Sequence, residues 1–273
     1  MASGLAEIRR GPGLKDRHFS DTAGIRKHKL ALNDRYFYDN FKGRPLCAKT
    51  NGAGAATGTA GDENVCYTGK NCFEYFIIGT QTVVAPVIGA SGLDIKLDDG
   101  AAGADGAEFS LGITAQSPAA YTVGTDEFYL KLKVKVTDQS GLATFFTGFR
   151  LAEAGQAAIT GYDTYGAIGY KRVNAATTGD VYIASELDGD ANADVDTTND
   201  FVEGTSYTFG VYVDKGGNFT YTIDGVAPTT TEKLQATSGD VMVPFFRFTD
   251  HTDTPGAVLI EEFECGLIDA NVR

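Results

Sequence analysis

Residues 205–225 read TSYTFGVYVDKGGNFTYTIDG. Tyr207, Phe209, Val211 and Val213 alternate with small or polar residues, and Phe219, Tyr221 and Ile223 resume the alternation after residues 214–218. A period of two marks a strand with one buried and one open face, so two such runs around a Gly-Gly loop predict a β-hairpin. Gly216 and Gly217 supply the backbone freedom of the turn, and Asp224-Gly225 ends the second strand. The hairpin is expected at the centre of an antiparallel jelly-roll sandwich.

The flanking chain repeats the signal. EFYLKLKVKV (127–136) sets Phe128, Leu130, Leu132, Val134 and Val136 on one face and Tyr129, Lys131, Lys133 and Lys135 on the other. The lysine row predicts a solvated face and a guard against edge pairing. Further strands are expected in FEYFIIGTQTVV (73–84), GLDIKL (92–97), AEFSLGI (107–113), ATFFTGFRL (143–151), AIGYKRV (167–173), VYIASEL (181–187), VMVPFFRF (241–248) and AVLIEEFECGLI (257–268). Residues 156–165 suit a short helix or a long loop. With 34 Gly, 7 Pro and 2 Met in 273 residues, the chain is turn-rich and all-β in character, and sandwiches of ~200–250 residues are commonly single domains.

The net charge of −13 is unevenly spread. Residues 1–49 hold 11 Lys+Arg against 5 Asp+Glu, and the rest of the chain 12 against 31. Arg9, Arg10, Lys15, Arg17, Arg26, Lys27 and Lys29 stand among few apolar residues, which predicts an extended basic arm that orders against an acidic partner surface. LALNDRYFYDNF (30–41) crowds Arg35, Tyr36, Phe37, Tyr38 and Phe41 together, a composition that suits an interface anchor or a plug for one end of the sandwich. NGAGAATGTAG (51–61) reads as a linker or exposed loop. The expected division is an arm over 1–50, a linker over 51–64 and a jelly-roll over 65–273. An acidic body argues against nucleic-acid binding. No apolar run approaches the ~18 residues of a membrane span, and MASGLAEIRRGPG lacks a signal-peptide core, so a soluble protein made in a cytosol is expected.

Candidate chemistry is sparse. In DGDANADVDTTND, Asp188, Asp190, Asn192, Asp194 and Asp196 occupy alternate positions, the spacing with which loops wrap Ca²⁺, although Ala193 stands at the turn glycine and Asn199 at the closing carboxylate. A solvated acidic loop is the alternative. Glu262 and Glu264 fall on one strand face with Glu261 opposite, the minimum for a hydrolytic carboxylate pair. Tyr162, Tyr165 and Tyr170 are the aromatic candidates for stacking a sugar in a chain without Trp. Cys47, Cys66, Cys72 and Cys265 lack CxxC spacing; reduced thiols, a small Cys66–Cys72 loop or a partial metal site remain open.

From residue 126 onward, the order EFYLKLKVKV, GFRLAEA, acidic loop, SYTFGVYVDKGGNFTYTIDG, VMVPFFRF, AVLIEEFECGLI resembles the jelly-roll of the concanavalin A-like lectin/glucanase (laminin G-like) superfamily. The chain is similar, more narrowly, to virion proteins of tailed bacteriophages in which such a domain decorates the head or serves in the tail. The glucanase pattern E-x-D-x-x-E is missing, so the resemblance implies a non-enzymatic role with no required cofactor. The expected function is a capsid decoration or cement protein on the virion surface, made in the host cytoplasm. Its partners would be the major capsid protein and neighbouring copies. The alternative is a lectin-like module for host or environmental glycans, with Ca²⁺ as a possible ligand.

Overall fold

The alternation in 127–136 is realised residue by residue. Phe128, Leu130, Leu132, Val134 and Val136 are buried, while Tyr129, Lys131, Lys133 and Lys135 stand half-buried on the other side. The computed structural model describes residues 35–41, 46–49, 57–58, 63–67, 71–78, 81–82, 87–89, 92–97, 106–173, 179–190, 193–250 and 256–268. Arg9, Arg10, Lys15, Arg17, Arg26, Lys27, Lys29 and Asn192 lie outside them.

In chain order the strands are β1 (Phe37–Asp39), β2 (Leu46–Lys49), β3 (Thr57–Gly58), β4 (Glu63–Tyr67), β5 (Cys72–Ile78), β6 (Gln81–Thr82), β7 (Val87–Gly89), β8 (Gly92–Leu97), β9 (Gly106–Ser110) and β10 (Tyr121–Thr122). They continue with β11 (Phe128–Asp138), β12 (Leu142–Leu151), β13 (Tyr165–Arg172), β14 (Gly179–Glu186), β15 (Ala193–Phe201), β16 (Ser206–Val213), β17 (Phe219–Ile223), β18 (Val241–Asp250) and β19 (Gly256–Leu267). One sheet runs β17-β16-β11-β19-β8-β7, with β1 also on β19; the other runs β15-β14-β13-β12-β18-β9-β5-β4-β2, with β10 on β18. β3 and β6 form a separate pair. Every pairing is antiparallel, and the architecture is an antiparallel jelly-roll β-sandwich.

The inner faces of the two sheets meet in one core. Phe73 and Phe246 of the larger sheet pack on Phe263 of the smaller, at centroid distances of 5.3 and 6.1 Å, and Phe128 meets Phe149 edge-on at 4.8 Å. Each such ring contributes about 1.5–3 kcal/mol by leaving water.

Several expectations need correction. The hairpin forms as β16 and β17 with Val213 opposite Phe219, but β17 is the outermost strand of its sheet, so the hairpin is peripheral. β11 pairs on both sides, with β16 and β19, so its lysines guard no edge. Residues 156–164 form the expected loop, with a short 3₁₀ helix at Ile159–Gly161, and only Tyr165 differs by opening β13. The sandwich also begins earlier than residue 65. β1, β2 and β4 are built into the sheets, and the larger compact unit runs from Phe37 to Arg273.

Candidate functional site

The aromatic segment 35–41 lies at the start of the sandwich. Arg35 and Tyr36 are half-buried. Phe37 pairs with Cys265 and Asp39 with Phe263, which adds β1 to the central strand β19 where β8 has ended. Phe37 packs against the main core, and Phe41 is 0% exposed, 6.0 Å from the Phe73 ring. Asp39 is buried and accepts the Phe41 N–H at 2.7 Å and the Asn71 side-chain amide at 3.2 Å. Phe41 therefore fills the core instead of facing a partner, because the strand that carries it is claimed by the free side of β19.

Of the acidic stretch, Asp188 and Asp190 lie in the turn after β14, and Asp194 and Asp196 lie on a strand. β14 and β15 form a hairpin, and Asp194 and Asp196 sit exposed on β15, the outer strand of the larger sheet. Asp194 pairs with Lys171 two strands away, and Asp196 accepts the backbone N–H of Thr198 at 2.7 Å. Asp188 turns towards the Thr237 hydroxyl at 3.4 Å. Alternation along a strand spreads carboxylates over about 7 Å per pair, too far for one coordination sphere. Among the described residues, no three His, Cys, Asp or Glu side chains already stand together as a metal set.

The three tyrosines proposed for sugar stacking are interior. Tyr162, Tyr165 and Tyr170 are each at most 1% exposed, and burial pushes the phenol of Tyr170 up to about 12. A different pair occupies the outward face of the smaller sheet. Tyr129 and Tyr212 are register partners, their rings 6.2 Å apart and 18° from parallel. The Tyr129 hydroxyl donates to Glu264 Oε1 at 2.6 Å, and Lys131 Nζ lies 5.4 Å from the same ring.

Glu261 is not opposite Glu262 and Glu264. Lys133 pairs with Glu262 and Val134 with Ile260, so a bulge accommodates the extra residue and turns all three carboxylates outward. Glu261 meets Lys133 Nζ at 3.1 Å and the Ser206 hydroxyl at 3.1 Å; its hydrogen bond and charge raise the Lys133 pKa. With Glu264 bound to Tyr129, two of the three carboxylates are engaged by neighbours on their own face, an arrangement suited to holding a sheet surface.

The most concentrated charge lies on the outward face of the larger sheet and is covered. Glu108, Arg150 and Arg247 project from β9, β12 and β18 and are 1%, 1% and 2% exposed. Glu108 accepts Arg150 Nε at 2.7 Å, Arg247 at 3.3 Å and the Tyr162 hydroxyl at 2.8 Å. The arginines also hold the covering segment: Arg150 donates to the carbonyls of Leu151 and Glu153, and Arg247 to those of Gln156 and Ala157. Phe146, Tyr165 and Phe245 extend this lid contact as a second apolar cluster around Tyr162. Burial opposes the charge of Arg150, but Glu108 beside it outweighs that and keeps its pKa above the ordinary value. Burial first, and then the Glu108 carboxylate, push the Tyr162 phenol well upward. This network was not among the candidates expected from the sequence. Its signal was a lone charge inside each of three apolar runs, AEFSLGI, GFRL and PFFRF, where a buried charge needs a partner.

Cys265 is a buried free thiol, with the Tyr121 hydroxyl 3.7 Å from its sulfur, and burial raises its pKa. Cys47 and Cys66 are register partners on β2 and β4, and Cys66 also pairs with Phe73.

No family model matches the chain. No curated protein matches it in sequence. Solved structures share its outline. A protein of unknown function from Shewanella oneidensis MR-1 aligns at TM-score 0.49 and 12% identity, over 94% of this chain and 96% of that one. A family 16 glycosyl hydrolase from Mycobacterium smegmatis aligns at TM-score 0.46 and 12% identity, over 84% and 98%. The carbohydrate recognition domain of Emp47p aligns at 0.44 and 11%, over 86% and 96%. Lectin-like and glycoside-hydrolase jelly-rolls are thus what the fold is similar to; at these identities no residue role carries over.

Proposed function

We propose that this chain is a non-enzymatic structural protein of a bacteriophage particle, a decoration or cement protein. Its basic N-terminal segment grips the capsid or a neighbouring copy, and its acidic jelly-roll projects outward. The observation that carries this reading is the way the chain joins the sandwich: directly after the basic segment, β1 is hydrogen-bonded to the central strand β19 and Phe41 is locked in the core. A pull on the basic segment is delivered to the middle of a sheet, as a tether requires. Many weak arms in a symmetric array then add up to strong retention. The non-enzymatic part is supported by the engagement of Glu261 and Glu264 with Lys133 and Tyr129.

Deletion of residues 1–34 tests this without touching β1. The truncated sandwich is expected to lose co-sedimentation with capsids while keeping its melting temperature. Binding at full-length occupancy would overturn the reading.

The Tyr129–Tyr212 pair favours a second reading, a glycan-binding module that presents two aromatic rings beside Glu264 and Lys131. Saturable hits on a glycan array that vanish in Tyr212→Ala would establish it, and a blank array would dismiss it.

A further inference from the structure

We infer that Cys47 and Cys66 form a redox-sensitive disulfide that staples the end strand of the larger sheet to its neighbour. β2 stands at the end of that sheet, hydrogen-bonded to β4, and in their antiparallel register Cys47 is directly opposite Cys66. Directly opposed residues of an antiparallel pair have Cα atoms about 4.5 or 5.5 Å apart, according to which of the two alternating pair types they occupy. Both separations fall within the range of about 4.4–6.8 Å that a disulfide spans. The same register decides against a short Cys66–Cys72 loop. Cys66 is opposite Phe73 and Cys72 is opposite Tyr67, so Cys66 and Cys72 occupy opposite faces of the sheet. Phe73 is buried in the core, which places the positions of Cys66 and Cys47 on the core-facing side. Cys265 lies in the other sheet, opposite Leu130 of β11 and Phe37 of β1, and is a free thiol.

A link at this place acts on both the unfolded and the folded chain. It closes a loop over residues 48–65, which includes the Gly/Ala/Thr run 51–61, and so removes freedom from the unfolded chain where glycine makes it greatest. Fixing the register of an end strand also guards the folded sheet against slippage and edge-to-edge pairing. The oxidant is a small-molecule disulfide such as oxidised glutathione. One cysteine thiolate attacks a sulfur of oxidised glutathione and displaces one glutathione thiolate; the second cysteine thiolate attacks the mixed disulfide and displaces the other. The two cysteines together lose two electrons and two protons, and the oxidant is reduced to two thiols. The staple is open in a reducing cytosol and closed in an oxidising medium, whatever the protein binds.

The test is a non-reducing peptide map of the monomeric full chain after equilibration with oxidised glutathione and alkylation of the remaining thiols, with thermal unfolding as the second readout. Trypsin cuts after Lys49 and Lys70 and so puts Cys47, Cys66 and Cys72 in separate peptides. The peptides 43–49 and 50–70 are expected to be joined, and to separate on reduction. The oxidised chain should melt about 5 °C or more above the reduced one. Cys47→Ser and Cys66→Ser should each lose the joined peptides and the thermal difference, and Cys72→Ser should keep both. Linkage of Cys66 to Cys72 instead, or cysteines that stay reduced or carry only glutathione, would overturn the inference. A Cys47–Cys66 link that leaves the melting temperature at the reduced value would overturn it as well.

Discussion

Glu108 shows how one residue organises a face of this protein. It joins two arginines and a tyrosine that in turn hold the carbonyls of residues 151–157. Glu108→Gln leaves two buried guanidinium groups short of a counter-charge and should cost about 3–5 kcal/mol, read as a lower urea midpoint at unchanged m-value. Tyr162→Phe removes only the hydroxyl shared by Glu108 and the Gln156 N–H, and should cost about 1–3 kcal/mol. Equal losses in the two variants would argue against the ion triad as the centre of the network. Glu186 makes a prediction of opposite sense. Its folded pKa lies above the unfolded one, so between the two values the folded chain binds the extra proton. Its contribution is therefore most favourable below the ordinary carboxylate range and declines as pH rises through the raised value. Glu186→Gln should gain stability relative to wild type as pH rises above the ordinary carboxylate range. Parallel pH curves for the two chains would count against the shift.

At the scale of elements, β1 is where the described chain joins the sheets. Phe41→Ala empties a fully buried site and should cost about 3–5 kcal/mol, whereas deletion of residues 1–34 should move the melting temperature little. If the truncation destabilised the protein as much as Phe41→Ala does, the boundary between segment and sandwich would lie earlier than Phe37. The β16–β17 turn depends on Gly217, which has φ +80° and would place a Cβ 2.3 Å from the Ala236 carbonyl oxygen. Gly217→Ala should therefore cost more than the ~1 kcal/mol of an ordinary Gly-to-Ala strain, because backbone must also shift. Thermal unfolding of this variant, with Gly225→Ala as the open-space comparison, measures the difference.

For the whole molecule, the proposed decoration role and the division of charge between a basic N-terminal segment and an acidic body together predict that any capsid association is salt-sensitive. Raising ionic strength from about 0.05 to 0.5 M should release the full chain if the contact is electrostatic, and salt-independent retention would point to an apolar one. Ten or so strands of the body, the alternating faces of β11, the hairpin at 205–225 and this charge division were legible in the sequence alone, whereas β1, β2, β4 and β15 were not. What was legible depends on side-chain period or composition, which are properties of neighbours along the chain. The neighbours of each strand are chosen by contacts far apart in sequence, so only the tertiary structure decided the rest. It set β11 in the interior and β17 at an edge, and the pairing of β11 with β19 turned Glu261 outward through a bulge. The lid over Glu108 buried Tyr162 and Tyr165, and the opposing sheet buried Tyr170. Folding also divided the acidic run, giving Asp194 to Lys171 and turning Asp188 towards Thr237, because cross-strand partners and not sequence spacing determine which charges meet.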